Sequence, residues 1–546
     1  MAPRVIESDR LDPGGWATVG TQRAVLAVVH NVTAATRLLD VLDLVADDDR
    51  VRVAFTIPGT SAFTAGTEQF LVDRGMAVRP WDSAADYRAD LVISASLGGR
   101  LRAAGTPLVV LPHGMGYNKF LDTESGNGNA VFGLSPEWLL DDQGRLIPDV
   151  LVLSHEEQRA RLARSCPPAV GVSVVAGDPC LDRMVASGPL RGVYRRALGV
   201  RAGQRLVVLS STWGPDSLFA LGAGLVERFA GLAVDGHRVV LALHPNIRAW
   251  HSPWQVDRWL ARCARAGVAL LPPDEGWRAA LVAADVVVGD HGSVTFYGAA
   301  LGRPVLLATA PAHTVAADSP IGRFLAVAPR LTASDLADQL DAAVGAHRPG
   351  ALAGLTDLAT SVPDRSAAVL RSELYRAMDL PEPAHPVQVR AVPVPRTDAA
   401  EPGAQLVRVD RAVGRAVVTR YAAVLLAAGG PLPEGTHLVV DTEEPTRREL
   451  ELAEIVVAPD PALAADLLRR LPGCALATAP VAADSWEVLT RAGERVRVDG
   501  LGEHGRVGAS LVHQWLCTQG PLATLPDRLS VHCGAAGFDV TFWVVP

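Results

Sequence analysis

The chain has 546 residues, 49% apolar and 20% charged, with a mean hydropathy of +0.19, so it can bury large cores and is not a disordered chain. Its formal charge of −8 and pI near 6.0 exclude the basic surface of a dedicated nucleic-acid binder. No uncharged apolar run approaches the roughly 18 residues of a spanning helix, the start MAPRVIESDRLDPGG lacks a basic-then-apolar leader pattern, and the six cysteines form no CxxC pair, so a reducing cytoplasm is expected.

Residues 1–21 are polar and Gly-rich and read as a loose arm. AVLAVVH (24–30) reads as a short buried strand. TAATRLLDVLDLVADD (33–48) follows as a capped helix, VRVAFTIP (51–58) as a second strand, and TEQFLVDRG (67–75) as a helix closed by glycine. MAVRPW (76–81), ADLVISAS (89–96), PLVVLPHG (107–114) and DVLVLSH (149–155) add strands, and SVVAGDPCLDRM (173–184) reads as strand, turn and helix start. The pattern then restarts. RLVVLSSTW (205–213), HRVVLALHPN (237–246), VALLPP (268–273), DVVVGDHGS (285–293) and PVLLATA (304–310) read as strands separated by helices. Two arrays, 22–190 and 191–380, are therefore expected as facing, doubly wound α/β domains that bind ligand at the carboxyl ends of their strands. The helical stretch 364–379 would close the second domain or cross back to the first. Residues 381–404 are Pro-rich and read as a linker, and 405–546 read as a small α/β domain.

Composition adds one clue. Lys119 is the only lysine among 51 basic residues, so it is expected where a compact ammonium is wanted rather than a guanidinium fork. The five asparagines, Asn31, Asn118, Asn127, Asn129 and Asn246, all lie in the first half.

Four segments place polar or special residues after apolar strands. LPHGMGYNKF carries His113, Gly114, Asn118 and Lys119: a histidine at a strand end followed by glycine can reach a ligand, and the lysine can charge-pair with a phosphate. AGDPCLDRM carries Asp178 and Asp182, either as a turn with helix capping or as part of a cleft. LALHPNIRAWH carries His244 and Asn246, and its histidine again ends a strand. AADVVVGDHGSVTFYGAALGRP places Asp290, His291, Gly292, Ser293 and Val294 at a strand-to-helix turn whose amides suit a pyrophosphate. His113 and His244, one from each array, are expected to face one cleft. Cys517, His532, Cys533, His504 and His513 have no standard zinc spacing.

The order of these pieces resembles the CDP-glycerol glycerophosphotransferase-like (teichoic acid polymerase) family of GT-B fold. The residues that carry the resemblance are His113-Gly114…Lys119, Gly177-Asp178-Pro179…Asp182, Ser211-Thr212-Trp213, His244-Pro245, and Asp290-His291-Gly292-Ser293…Phe296-Tyr297…Arg303-Pro304. It covers about residues 22–380. It departs from the family at Tyr297 (an acidic residue there), at Gly214 (an arginine) and at Gly292 (a serine).

The resemblance implies transfer of a polyol phosphate from a CDP-linked donor to an acceptor hydroxyl. His113 would be general base, His244 would steady charge on the moving phosphoryl group, and Gly292, Ser293 and Val294 would hold the pyrophosphate. The expected site is then His113, His244 and Lys119 as catalytic groups. Asp290, His291, Gly292, Ser293, Val294, Trp213 and Asn246 are expected on the donor, and Gly114, Asn118, Asp178, Asp182 and Tyr297 along the cleft. No metal or cofactor is expected beyond the nucleotide donor as substrate. The acceptor would be a cell-wall polymer or lipid-linked hydroxyl met at the inner membrane face. Two other readings stay open: an NDP-sugar transferase or epimerase of the same fold, and a non-catalytic nucleotide-binding scaffold.

Overall fold

The computed structural model describes residues 19–81, 89–99, 101, 105–121, 130–333, 335–397, 401–428, 432–444 and 446–545. Most of the expected N-terminal arm lies outside them, as do Asn127 and Asn129.

The short β-branched runs form two all-parallel sheets. The first has the order β3-β2-β1-β4-β5-β6-β7, from β1 (Arg23–Val28), β2 (Val51–Thr56), β3 (Val78–Arg79), β4 (Leu91–Ser94), β5 (Leu108–Val110), β6 (Val150–Leu153) and β7 (Ser173–Val175). The central strands are buried on both faces, which is why they read as continuous rather than alternating apolar runs. Helix α1 (Val32–Ala46) starts at Asn31, whose side chain accepts from the Ala34 N–H at 2.9 Å, and it buries Leu38, Val41 and Leu42. Helix α2 (Pro179–Ala186) is capped by Asp178.

The second sheet has the order β10-β9-β8-β11-β12, from β8 (Arg205–Ser211), β9 (His237–Leu243), β10 (Ala269–Leu270), β11 (Val286–Gly289) and β12 (Val305–Leu307). Helices α3 (Pro245–His251), α4 (Pro253–Arg265), α5 (Trp277–Ala283) and α6 (Ser293–Ala300) connect or flank its strands. The two halves exchange helices. Cys180, Leu181 and Met184 of α2 pack into the core of the second sheet. Helix α7 (Ser366–Ala377) crosses back, placing Leu370, Leu374 and Tyr375 in the core of the first. The expected boundary at 380 therefore moves: α7 belongs to the first half because its apolar face fits there. Two facing Rossmann-like sheets with a helix crossing back constitute the GT-B architecture.

The Pro-rich stretch is laid along the body of the protein. Val392 is buried, its N–H donates to Ser187 Oγ at 2.9 Å, and its carbonyl accepts from Tyr194 at 2.6 Å.

The C-terminal region, expected as a small α/β domain, is built around a closed barrel. Its strands are β13 (Ala404–Ala412), β14 (Arg415–Ala422), β15 (Thr436–Asp441), β16 (Ile455–Val457), β17 (Leu476–Ala482), β18 (Ser485–Thr490), β19 (Arg495–Asp499), β20 (Arg528–Cys533) and β21 (Ala536–Val545). They close into a mixed barrel, β13-β14-β20-β21-β19-β18-β17-β16-β15, with β15 pairing back to β13. Burial alternates along β14, β19 and β20, the mark of strands with one face inside a barrel. The barrel docks on the second domain through buried Arg420, which donates two bonds to Asp235 Oδ1, at 3.2 Å from Nε and 2.5 Å from Nη2.

Candidate active site

His113 follows β5, where the chain leaves the first sheet. Its Nδ1 lies 3.2 Å from the Ala95 carbonyl, an acceptor only, so Nδ1 carries the proton and Nε2 keeps a free lone pair. Gly116 then turns with φ +60, and a Cβ there would lie 2.4 Å from Gln158 Nε2. Asn118 donates to the Met115 carbonyl, while its buried Oδ1 has no partner among the described residues. The next residue is carried across the gap between the domains. Lys119 pairs with Val315 as an isolated antiparallel bridge, with the Ala316 N–H on the Asn118 carbonyl at 2.9 Å. Its Nζ then donates to Thr212 Oγ1 of the second domain at 3.1 Å. Burial lowers the Lys119 pKa, and the charge of Asp290 partly restores it.

His244 ends β9 and caps α3. Its Nδ1 accepts from the Asn246 N–H at 3.2 Å, so in the neutral ring Nε2 carries the proton. The two histidines line the same cleft with opposite tautomers: His113 offers a base and His244 offers a donor. Burial, with Lys119 beside them, pulls His113 down to about 4 and His244 to about 3, so both are neutral near pH 7.

The end of the cleft at the loops after β8 and β11 is organised by Asp290. Its Oδ2 accepts from the Thr212 and Leu218 N–H groups at 2.9 Å each, and its Oδ1 from Gly292 N–H at 2.9 Å. It is fully buried and ties the loops after β8 and β11 together rather than facing a ligand, a correction to its expected donor contact. Helix α6 begins at Ser293 with Gly292 as its cap and, among the described residues, no side chain bonded to its first amides. Gly292, Ser293 and Val294 all line the cleft; with the Gly292 N–H given to Asp290, the Ser293 and Val294 amides are the ones placed for an anion. Ser293 Oγ also accepts from the Met115 N–H at 3.1 Å, latching one domain to the other.

The remaining expected residues divide. Gly114, Asn118, Trp213 and Tyr297 line the cleft. Asn246 is buried and lines an adjoining groove that shares Trp213. His291 is buried behind the loop, its Nδ1 unpartnered among the described residues and its pKa lowered to about 3 chiefly by burial. Asp178 and Asp182 do not line the cleft. Asp178 caps α2, accepts from Arg37 Nη1 at 3.1 Å and takes the Tyr297 hydroxyl at 2.5 Å. Asp182 holds the Asp364 and Ser366 amides at the start of α7.

Sequence reasoning missed Arg37 and Arg278 and quoted Thr212 only within the Ser211-Thr212-Trp213 motif, without a role; all three line the cleft. Arg37 donates to Tyr297 at 2.8 Å, and Arg278 pairs with Asp40 at 2.8 Å, so a buried charge network crosses between the domains beneath the cleft. The available signal was an arginine on the buried stripe of α1, a position that needs a partner. Among the described residues no group of three or more His, Cys, Asp or Glu is placed to hold a metal, and no helix is long and apolar enough to cross a membrane.

Comparison with solved structures finds the wall teichoic acid polymerase TagF, at 13% identity and a TM-score of 0.45, over 66% of this chain and 89% of that one. It also finds MnaA of S. aureus in complex with UDP, at 9% identity and a TM-score of 0.39, over 66% of this chain and 99% of that one. A third is the UDP-GlcNAc 2-epimerase of Neisseria meningitidis bound to UDP-GlcNAc, at 14% identity and a TM-score of 0.38, over 65% and 99%. No known protein family matches the sequence, and no curated protein matches it.

Proposed function

We propose that the protein is a transferase that moves a group from a nucleoside-diphosphate-linked donor to an acceptor hydroxyl, and that the group is a polyol phosphate carried by a CDP-linked donor. The observation that carries this reading is the pair of opposite tautomers at His113 and His244 in one cleft. Phosphoryl transfer needs little covalent help from a protein. It needs the nucleophile positioned and the spreading negative charge met by fixed donors.

The amides of Ser293 and Val294, on the loop that begins at Gly292, would hold the donor diphosphate, with the Lys119 ammonium beside it. The acceptor oxygen attacks the terminal phosphorus while His113 Nε2 takes its proton. The phosphorus–oxygen bond to the leaving nucleotide breaks, the nucleoside monophosphate leaves with that electron pair, and the His244 Nε2–H donates to a non-bridging oxygen. Asp274, the cleft-lining carboxylate among the described residues, is paired with Arg74, so a histidine base fits better than a carboxylate base. The test is nucleotide release from CDP-glycerol and, in parallel, from UDP-sugars, with and without His113→Asn. Release of UDP from a UDP-sugar with no CMP from CDP-glycerol would replace the polyol-phosphate reading with sugar transfer, and a UDP-sugar returned with inverted configuration and no nucleotide released would replace it with epimerisation.

A further inference from the structure

Beyond Trp213 the reaction cleft runs into a second groove that the proposed chemistry does not use. Its walls are aromatic. Phe63, from the first domain, sits 4.7 Å from the Trp213 ring and 6.2 Å from Trp250, and Phe219 lies 6.3 Å from Trp259. Trp250 is 67% exposed and Trp259 41%, a large solvent cost for rings with no ligand. Between the rings are polar groups: buried Asn246, buried Glu227, and Arg262 at 3.3 Å from Glu227. Arg262, the arginine that lines the groove among the described residues, is already neutralised by Glu227, and beside it Arg248 pairs with Asp257 at 2.8 Å and Arg265 with Glu444 at 2.9 Å.

That charge balance selects the ligand. A polyanionic chain such as poly(glycerol phosphate), or an anionic lipid surface, needs unpaired cations. Hydrocarbon alone would leave Nε and Nη2 of Arg262, which are buried and have no hydrogen-bond partner among the described residues, unsatisfied. Neutral sugar rings meet both demands: their polarised C–H faces pack on the negative faces of aromatic rings, and their hydroxyls bond the guanidinium. We propose that the groove of Phe63, Trp213, Trp250 and Trp259 binds the neutral glycan portion of the acceptor and feeds its terminal hydroxyl toward His113. This rests on the transferase reading for its role as an acceptor site, though not for its ability to bind sugar.

The experiment uses the full chain and Trp250→Ala, a variant whose exposed ring contributes little to folding. Both are applied to an array of neutral oligosaccharides, to poly(glycerol phosphate) and to phosphatidylglycerol vesicles, and CDP binding is measured by calorimetry alongside. The expected result is binding of at least one neutral oligosaccharide, weakened tenfold or more in Trp250→Ala and in Trp259→Phe, with CDP affinity unchanged. Absence of any neutral glycan binding, glycan binding indifferent to both variants, or vesicle or polyanion binding that depends on Trp250 would each overturn the proposal. If CDP binds and glycans do not, the groove proposal fails and the transferase reading stands. If glycans bind with the expected dependence while no nucleotide binds, the transferase reading fails and the groove stands as a sugar site.

Discussion

Asparagine substitution separates the two histidines. At position 244 the asparagine carbonyl can take over the bond from the Asn246 N–H that His244 Nδ1 now accepts, since asparagine is among the best helix caps. Stability should stay within about 0.5 kcal/mol of the parent, whereas His244→Ala loses the cap at about 1 kcal/mol. The Asn Nδ2 still carries N–H groups but is shorter than the imidazole, so the donor to the phosphoryl oxygen lengthens. Loss of one such donor is worth about 10²–10³ in rate, and the Asn variant should fall at or below the low end of that range. At position 113 nothing comparable survives. The Ala95 carbonyl can still receive an amide N–H, but no atom with imidazole basicity replaces Nε2, and loss of a general base is worth about 10²–10⁴.

The pH profile gives the sharper readout. A base works only when neutral, so kcat/KM should fall as pH drops through the His113 pKa, about 4 in the empty cleft. Lys119 and Arg37 help depress that value, and a bound diphosphate offsets their charge, so the limb in kcat should lie above the limb in kcat/KM. His113→Asn should abolish this acid limb and His244→Asn should keep it, measured as nucleotide release with circular dichroism at each pH to separate unfolding. If His244→Asn abolishes the limb and His113→Asn keeps it, the assignment of base and donor is reversed and the argument from tautomers fails.

Lys119→Arg should lower activity nearly as far as Lys119→Ala, because a planar fork does not fit the place where Nζ meets Thr212 Oγ1; steady-state kinetics that show an active Arg variant would reduce the role to charge alone. Gly114→Ala would put a methyl 2.8 Å from Ser293 Oγ and strain the bond from the Met115 N–H, so nucleotide affinity by calorimetry should drop, and adding Ser293→Ala should relieve the clash and restore part of the loss. Buried His291 and His437 are neutral in the fold with pKa values lowered from 6.5 to about 3, so the unfolded chain binds more protons below pH 6.5. Each should therefore subtract up to about 1.4 kcal/mol of stability per pH unit as pH falls from 6.5 toward 3. Urea denaturation at pH 7 and pH 5 measures this, and a slope unchanged in His437→Gln would refute it.

The sheets and the strand-end histidines were legible because they are local: a buried parallel strand needs only a short β-branched run, and its end is where polar residues reach a ligand. The barrel was not, since closure depends on β13 meeting β15 and β14 meeting β20, pairings that no run of residues announces. The aspartates were misplaced for the same reason. A carboxylate that organises loops and one that meets a ligand look alike in sequence. Asp178 is assigned by Arg37, 141 residues away, and Asp290 by the Thr212 amide, 78 residues away. Tyr297 shows how far this reaches. Read residue by residue, it is a departure from the acidic residue of the family it resembles. In the fold its hydroxyl donates to Asp178 at 2.5 Å and accepts from Arg37 at 2.8 Å, so a carboxylate and a guanidinium from other segments of the chain meet on it beneath the cleft. Tyr297 is therefore held in a buried chain of carboxylate, phenol and guanidinium that joins the two domains under the cleft floor.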